Sequence, residues 1–347
     1  MNISGQSSGP SRREVLRLAC GCAAGAASST IACAAVEGAI DVHHHVSPPV
    51  WLEGAREQIA ATNRNPAAIA GWTPSKSIEE MDQAGVASAM ASVTNPGVWF
   101  GAVEPARKLA RGCNEYLAKL KSDHPRRFGG MAAIPLPDTQ GSLAEIEYAL
   151  DTLRLDGIGL MSSYDNKWPG DAAFTPVLAE LHRRKAVVFV HPTSSDCCSA
   201  RLPDVSFSAI EFPIDTTRAV VSLLFSGALS RFPDIRWIFS HAGGAMPMLA
   251  TRVAGIMESQ AALKSRIPDG AMHELKRQFY DVALSANPIS MAALRAFLPP
   301  SQILYGSDYP LNTARGVTAG LGEIAFTAAE ARAISRGNAA KLFPAFG

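Results

Sequence analysis

The 347-residue sequence is short of most features that would place a protein in a specialised class. Its charges nearly cancel, with 32 Lys and Arg against 31 Asp and Glu, so no basic field exists to attract nucleic acid. There are six cysteines, and three of them (Cys20, Cys22, Cys33) fall in the first 34 residues. Cys113, Cys197 and Cys198 remain, which is no disulfide framework, and two plain thiols are expected at 197 and 198. No run reaches the roughly 20 strongly apolar residues that a membrane span needs. No repeat shorter than a βα unit is present.

What is there begins with a segment that reads as removable. Residues 11–19, Ser-Arg-Arg-Glu-Val-Leu-Arg-Leu-Ala, lead into a small-residue apolar stretch that ends near Ala32-Cys33-Ala34. The Arg12-Arg13 pair resembles a twin-arginine export signal, with Val15 where such signals usually carry Phe. Residues 1–34 are therefore expected to direct export to the periplasm, and 35–347 to form one domain. Losing the segment removes three arginines and one glutamate, which turns a formal charge of +1 into −1.

Eight β-like runs then alternate with helical patterns: 38–42, 86–93, 129–134, 157–161, 186–190, 235–239, 279–284 and 302–305. Several are apolar throughout, as parallel strands buried on both faces require. Helices are expected over 77–85, 104–123, 175–185 (with Thr175 as its N-cap) and 214–234. This alternation predicts an α/β fold, a (β/α)8 TIM barrel. A doubly wound open sheet is the other candidate, but the Gly-rich turn it usually carries after its first strand is replaced here by "DVHHH".

Barrel active sites lie at the C-terminal ends of the strands. Five of the eight histidines stand at such ends: His43, His44 and His45 after the first, His191 after the fifth and His241 after the sixth. Asp308 follows the eighth. Alternation along a strand puts His43 and His45 on one face and His44 on the other. A single strand-end histidine is ordinarily a hydrogen-bonded structural residue. A barrel mouth gathers the whole set, which predicts one metal site, with Zn2+ suited to imidazole and carboxylate and Mn2+ possible. The loop aromatics, Phe212 among them, are expected to be packing residues, and Arg201 is left unassigned.

In order along the chain, "IDVHHHVSPP", "WTPSKSIEEMDQAGV", "RFGGMAAIPLPD", "VVFVHPT", "SHAGGAMP", "LYGSDYP" and "RGNAAKLF" resemble the decarboxylase branch of the amidohydrolase superfamily. That branch includes aminocarboxymuconate-semialdehyde, γ-resorcylate and 6-methylsalicylate decarboxylases. The resemblance implies metal ligation by His43, His45, His191 and Asp308, and an acid–base role for His241, with Asp308 as the other titratable group. The fourth strand, "GIGLM", lacks the lysine that bridges two metals in many amidohydrolases, which agrees with one metal. His44 is expected to be a hydrogen-bonding residue turned away from it. The implied reaction is loss of CO2 from a small hydroxylated aromatic or related unsaturated carboxylic acid. The alternative is a hydrolase of a lactone or ring-fission product, and a metal-binding protein without catalysis is a third reading. The resemblance also implies a homodimer in which Arg252 grips the substrate carboxylate in the neighbouring subunit.

Overall fold

The computed structural model describes residues 37–62, 65–193, 195, 202 and 204–347. The expected signal segment, Cys197, Cys198 and Arg201 lie outside these residues.

Eight parallel strands pair in sequence order: β1 (Ala39–His45), β2 (Val86–Ser92), β3 (Phe128–Ala133), β4 (Gly157–Met161), β5 (Val187–His191), β6 (Arg236–Phe239), β7 (Phe279–Asp281) and β8 (Ile303–Leu304). The first and last strands meet through Val42 N–H to Tyr305 O (3.0 Å), Asp308 N–H to His43 O (2.8 Å) and His45 N–H to Tyr309 O (2.7 Å). The result is the (β/α)8 barrel read from the alternation. A principal helix follows each strand: α1 (Pro74–Ala84), α2 (Val103–Asp123), α3 (Thr139–Glu147), α4 (Thr175–Arg183), α5 (Glu211–Phe225), α6 (Met246–Ser259), α7 (Pro288–Phe297) and α8 (Ala314–Gly322). No helix among the described residues is long and apolar enough to cross a membrane.

Apolar side chains pack in two shells. Ile40, Val42, Met90, Met131, Phe189 and Leu304 fill the barrel, and Leu342, Phe343 and Phe346 from the C-terminal segment join them. Arg336 ties that segment to the start of β1 by donating to Gly38 O (2.7 Å). The barrel end opposite the histidines is thereby filled. Residues of opposite parity, such as Val188, Val190, Trp237 and Phe239, pack outward with the helices.

One local irregularity decides the function of β1. Asp41 pairs with Ala89, but His44 pairs with Ala91, so three steps on β1 match two on β2. This β-bulge inserts one residue. Ile40 and Val42 point into the barrel, and after the bulge His43 and His45 do too, whereas Asp41 and His44 share the outer face. Uninterrupted alternation would have continued the Ile40–Val42 parity to His44.

Three local expectations are corrected. The helix expected over 214–234 is broken: α5 ends at Phe225, Gly227 takes φ 75, and a short helix resumes at Ala228. Thr175 is not an N-cap, because a 3-10 turn precedes it and Asp171 caps that turn through Ala173 N–H (2.8 Å). β7 stops at Asp281, since the Asp281 carboxylate draws the Ala283 N–H (2.9 Å) into a turn.

Candidate metal centre

His43 and His45 come from β1, His191 closes β5, and Asp308 lies just beyond β8. One ligand atom from each lies within 4.8 Å of the others, and all four residues are buried. Hydrogen bonds on the far side of each ring orient two of the imidazoles. His43 gives Nδ1–H to Asp281 Oδ2 (3.0 Å), and His191 gives Nδ1–H to Pro192 O (2.9 Å). The Nε2 lone pairs of both are thus turned to the centre, the arrangement a metal-bound histidine needs. His45 Nδ1 lies 3.2 Å from Ser92 Oγ.

Within the centre His43 Nε2 and His45 Nε2 lie 3.1 Å apart, within hydrogen-bond reach of each other, while Asp308 Oδ1 is left without a hydrogen-bond partner. Asp308 Oδ1 lies 3.3 Å from His43 Nε2 and 3.1 Å from His45 Nε2. Neither contact has hydrogen-bond geometry, and His241 Nε2, 3.6 Å from Asp308 Oδ2, is also buried without a hydrogen-bond partner. Converging acceptors at such distances, away from water, fit a shared cation. Three imidazoles and one carboxylate make a donor set for a single divalent metal ion.

Electrostatics agree with that fit. Burial pushes the His191 imidazole well below its ordinary pKa, with the His45 and His43 charges adding to it. Burial lowers His45 as well. Burial would raise the Asp308 carboxyl, but the imidazoles of His241, His43 and His45 outweigh it and hold Asp308 well below the usual carboxylate range. Burial likewise opposes charge on His43, yet Asp281 and Asp308 raise it to about 10. A cation at the centre would take the place of a proton on His43 Nε2, beside Asp308, and leave the Nδ1 proton on Asp281.

Two of the segments that carry site residues depend on special backbone. His241 (φ 54) and Asp308 (φ 64) both sit in the left-handed region, which non-glycine residues seldom occupy. At Gly306 a Cβ would come within 2.8 Å of His43 Cβ and 3.0 Å of Asp281 Cβ, so only glycine lets the segment between β8 and Asp308 pass that close to both.

His44 lies outside the centre, as expected. It is hydrogen-bonded to Asp41 Oδ2 (3.0 Å) and Ser77 Oγ (2.5 Å) and stacks on Tyr309. A cavity of about 250 Å3 opens over the metal group, lined by His191, His241, Asp308, Phe212, Leu284 and Leu311, with several hydroxyl side chains. Phe212 is thus a lining residue, where packing was expected, while Trp51 packs in the core with its ring N–H on Gly97 O (2.7 Å). Arg252 is not brought to this cavity within one chain. It is exposed on α6 and has no ion pair among the described residues.

Two buried carboxylates were missed in the sequence. Asp281 orders the centre from behind His43. Asp215 accepts from Ser162 Oγ, Ser163 Oγ (2.9 Å) and Trp168 Nε1 (2.7 Å), while Ser162 Oγ accepts from Thr193 N–H (2.9 Å), which fixes the loop after His191. The available sign was an acidic residue closing or interrupting an apolar run, as in "FYDV".

The amidohydrolase family model matches residues 40–345, and the chain belongs to that family. Decarboxylase yanB of Aspergillus niger is 37% identical over 327 residues, covering 88% of this chain and 88% of that protein. The 6-methylsalicylic acid decarboxylase of Penicillium expansum is 36% identical over 283 residues, 78% of this chain and 84% of that protein. The same fold is seen in a dihydroxybenzoic acid decarboxylase from Polaromonas, solved with manganese and the inhibitor 2-nitroresorcinol. It superposes with a TM-score of 0.77 at 18% identity, covering 89% of this chain and 97% of that one.

Proposed function

We propose that this chain is a metal-dependent decarboxylase that removes CO2 from a small hydroxylated aromatic acid. The observation that carries the reading is the buried His43–His45–His191–Asp308 group with the unpartnered His241 Nε2 beside it, under a cavity of about 250 Å3. The decarboxylase names of the relatives support it.

In this reading His43, His45, His191 and Asp308 hold one ion, with zinc favoured by the three imidazoles and manganese as the other outcome of metal analysis. The ion supplies a fixed positive centre for the substrate carboxylate and an adjacent oxygen. Decarboxylation of an arene needs a proton on the ring carbon that bears the carboxylate, because a bare aryl anion is too unstable. The ring carbon takes that proton, the bond to the carboxylate breaks, its electron pair returns to the ring, and CO2 leaves. His241 holds the proton at Nε2, and Asp308, 3.6 Å away, stabilises the charged imidazole. Phe212, Leu284 and Leu311 offer the apolar walls that an aromatic ring requires.

Two further assignments belong to the same reading. The chain forms a homodimer in which Arg252 completes the neighbour's site. Its exposure, its lack of an ion pair and its place on α6 between exposed Met248 and Ile256 support this, as does a cavity with no Lys or Arg among its described lining. Residues 1–34 act as a twin-arginine signal, which exports folded protein with its metal in place.

The experiment is a panel of salicylate-type acids and lactones incubated with purified protein. CO2 release with the decarboxylated phenol is the expected result. A product that has gained water without CO2 release overturns the reading.

A further inference from the structure

One buried carboxylate serves three dependents that the reaction needs together. Asp281 is fully buried at the end of β7. Its Oδ2 accepts from His43 Nδ1 (3.0 Å), and its Oδ1 accepts the backbone N–H of His241 (3.1 Å) and of Ala283 (2.9 Å). The first bond sets the tautomer of a metal-facing imidazole. The second anchors His241, whose backbone is in the left-handed region. The third shapes the turn closed by Ser285 N–H to Val282 O (2.9 Å), which carries Leu284, at φ 54, and Ser285 to the cavity rim.

We propose that Asp281 is a positioning residue that sets the His43 imidazole for metal and the His241 backbone for proton delivery through its two oxygens. A carboxylate suits this task because both oxygens only accept. All three groups facing it are N–H donors, so no neutral side chain of the same shape can satisfy them at once. The role given to His241 rests on the proposed decarboxylase, whereas the role toward His43 does not.

Asp281→Asn tests the assignment because its amide can serve only one side. With its oxygen on the two backbone N–H groups, its NH2 faces the His43 Nδ1–H. His43 must then move its proton to Nε2 and lose the lone pair aimed at the metal. With the amide reversed, the NH2 faces the two backbone donors and His241 loses its anchor. The first orientation breaks fewer bonds and is the one expected. Removing such an outer partner typically weakens metal binding by about 10- to 100-fold.

The expected result is therefore zinc affinity reduced tenfold or more in D281N, measured by chelator competition on protein that keeps its far-ultraviolet circular dichroism. Unchanged affinity with kcat reduced tenfold or more at saturating metal, and little change in KM, supports the reversed orientation. Wild-type affinity together with wild-type kcat overturns the proposal. The metal titration needs no substrate, so it stands even if no acid in the panel loses CO2. For a variant that does not fold, the zinc-loaded wild-type chain carries the test by 15N-histidine NMR. The His43 imidazole, assigned by the loss of its signal in a His43→Gln chain and lying 4.9 Å from the Phe189 ring between centroids, must hold its proton on Nδ1. A proton on Nε2 there overturns the assignment.

Discussion

Asp41 and His44, three residues apart on one strand, are hydrogen-bonded to each other on its outer face (3.0 Å). That contact exists only because the β1 bulge falls between them. The same Asp41 carboxylate accepts from His43 N–H (3.1 Å), from Ser307 N–H (2.9 Å) and from Ser307 Oγ (2.5 Å). It thus holds the bulge against the segment that carries Asp308.

Asp41→Ala is expected to leave several buried donors unpaired. Each such loss costs about 1–3 kcal/mol. The variant should melt at a lower temperature and bind metal more weakly than the wild type, as read by calorimetry and chelator competition. A variant unchanged in both would show that the bulge holds without this carboxylate.

Alanine at His191 or Asp308 should abolish stoichiometric metal by elemental analysis. His241→Ala should keep about one ion per chain and lose roughly 10²- to 10⁴-fold in kcat, the range a positioned acid–base group supplies. Loss of metal in the His241 variant would make that residue a ligand instead.

Arg252→Ala should raise KM or lower kcat while the metal stays bound, because a planar guanidinium can hold a carboxylate through two hydrogen bonds. Mixing inactive Arg252→Ala chains with inactive His241→Ala chains should restore part of the activity, since one hybrid site regains both residues. No recovery in verified mixed dimers, or a fully active monomer, would rule the arrangement out.

Replacing Arg12-Arg13 by Lys-Lys should hold the precursor inside the cell, as read by fractionation and immunoblotting. Undiminished periplasmic delivery would count against the twin-arginine route.

Glu180 on α4 gives a pH signature. Arg183 (2.6 Å) and Arg184 (2.5 Å) lower its carboxyl from an ordinary 4.5 to about 2. A carboxylate lowered on folding adds stability that is complete above the unfolded pKa and is lost as pH falls through the folded one. The gap in melting temperature between wild type and Glu180→Gln should therefore be full at pH 7 and shrink between about pH 4.5 and pH 2. With the side chain 21% exposed, the contribution is at most about 1 kcal/mol. A constant gap across that range would remove Glu180 from the account.

The barrel and its metal group were largely legible because both follow from short-range chemistry. Apolar runs such as "VVFV" and "RWIF" report strands buried on both faces, and a barrel necessarily gathers what stands at their ends. The bulge was not legible, since it depends on how β1 pairs with β2 and leaves no mark in "IDVHHH" itself. Asp281 escaped for a different reason. The apolar run reads on to residue 284, which places Asp281 inside a strand, whereas the strand ends at Asp281 because its own carboxylate turns the chain there. The break at Gly227 was visible as "SGA" but was overridden by apolar periodicity on both sides.

The ligands come from the first strand, the fifth and the last, so no fragment of the barrel owns the whole donor set. An ion that joins β1 to β8 works as a clasp on the seam of a closed sheet. Closing so long a loop carries an entropic cost that grows only slowly with its length. A strong bond at the seam can therefore offset that cost at a single point. Backbone hydrogen bonds already close that seam, so a bound ion would reinforce it, and stripping the ion should loosen the β1–β8 edge before any other part of the wall.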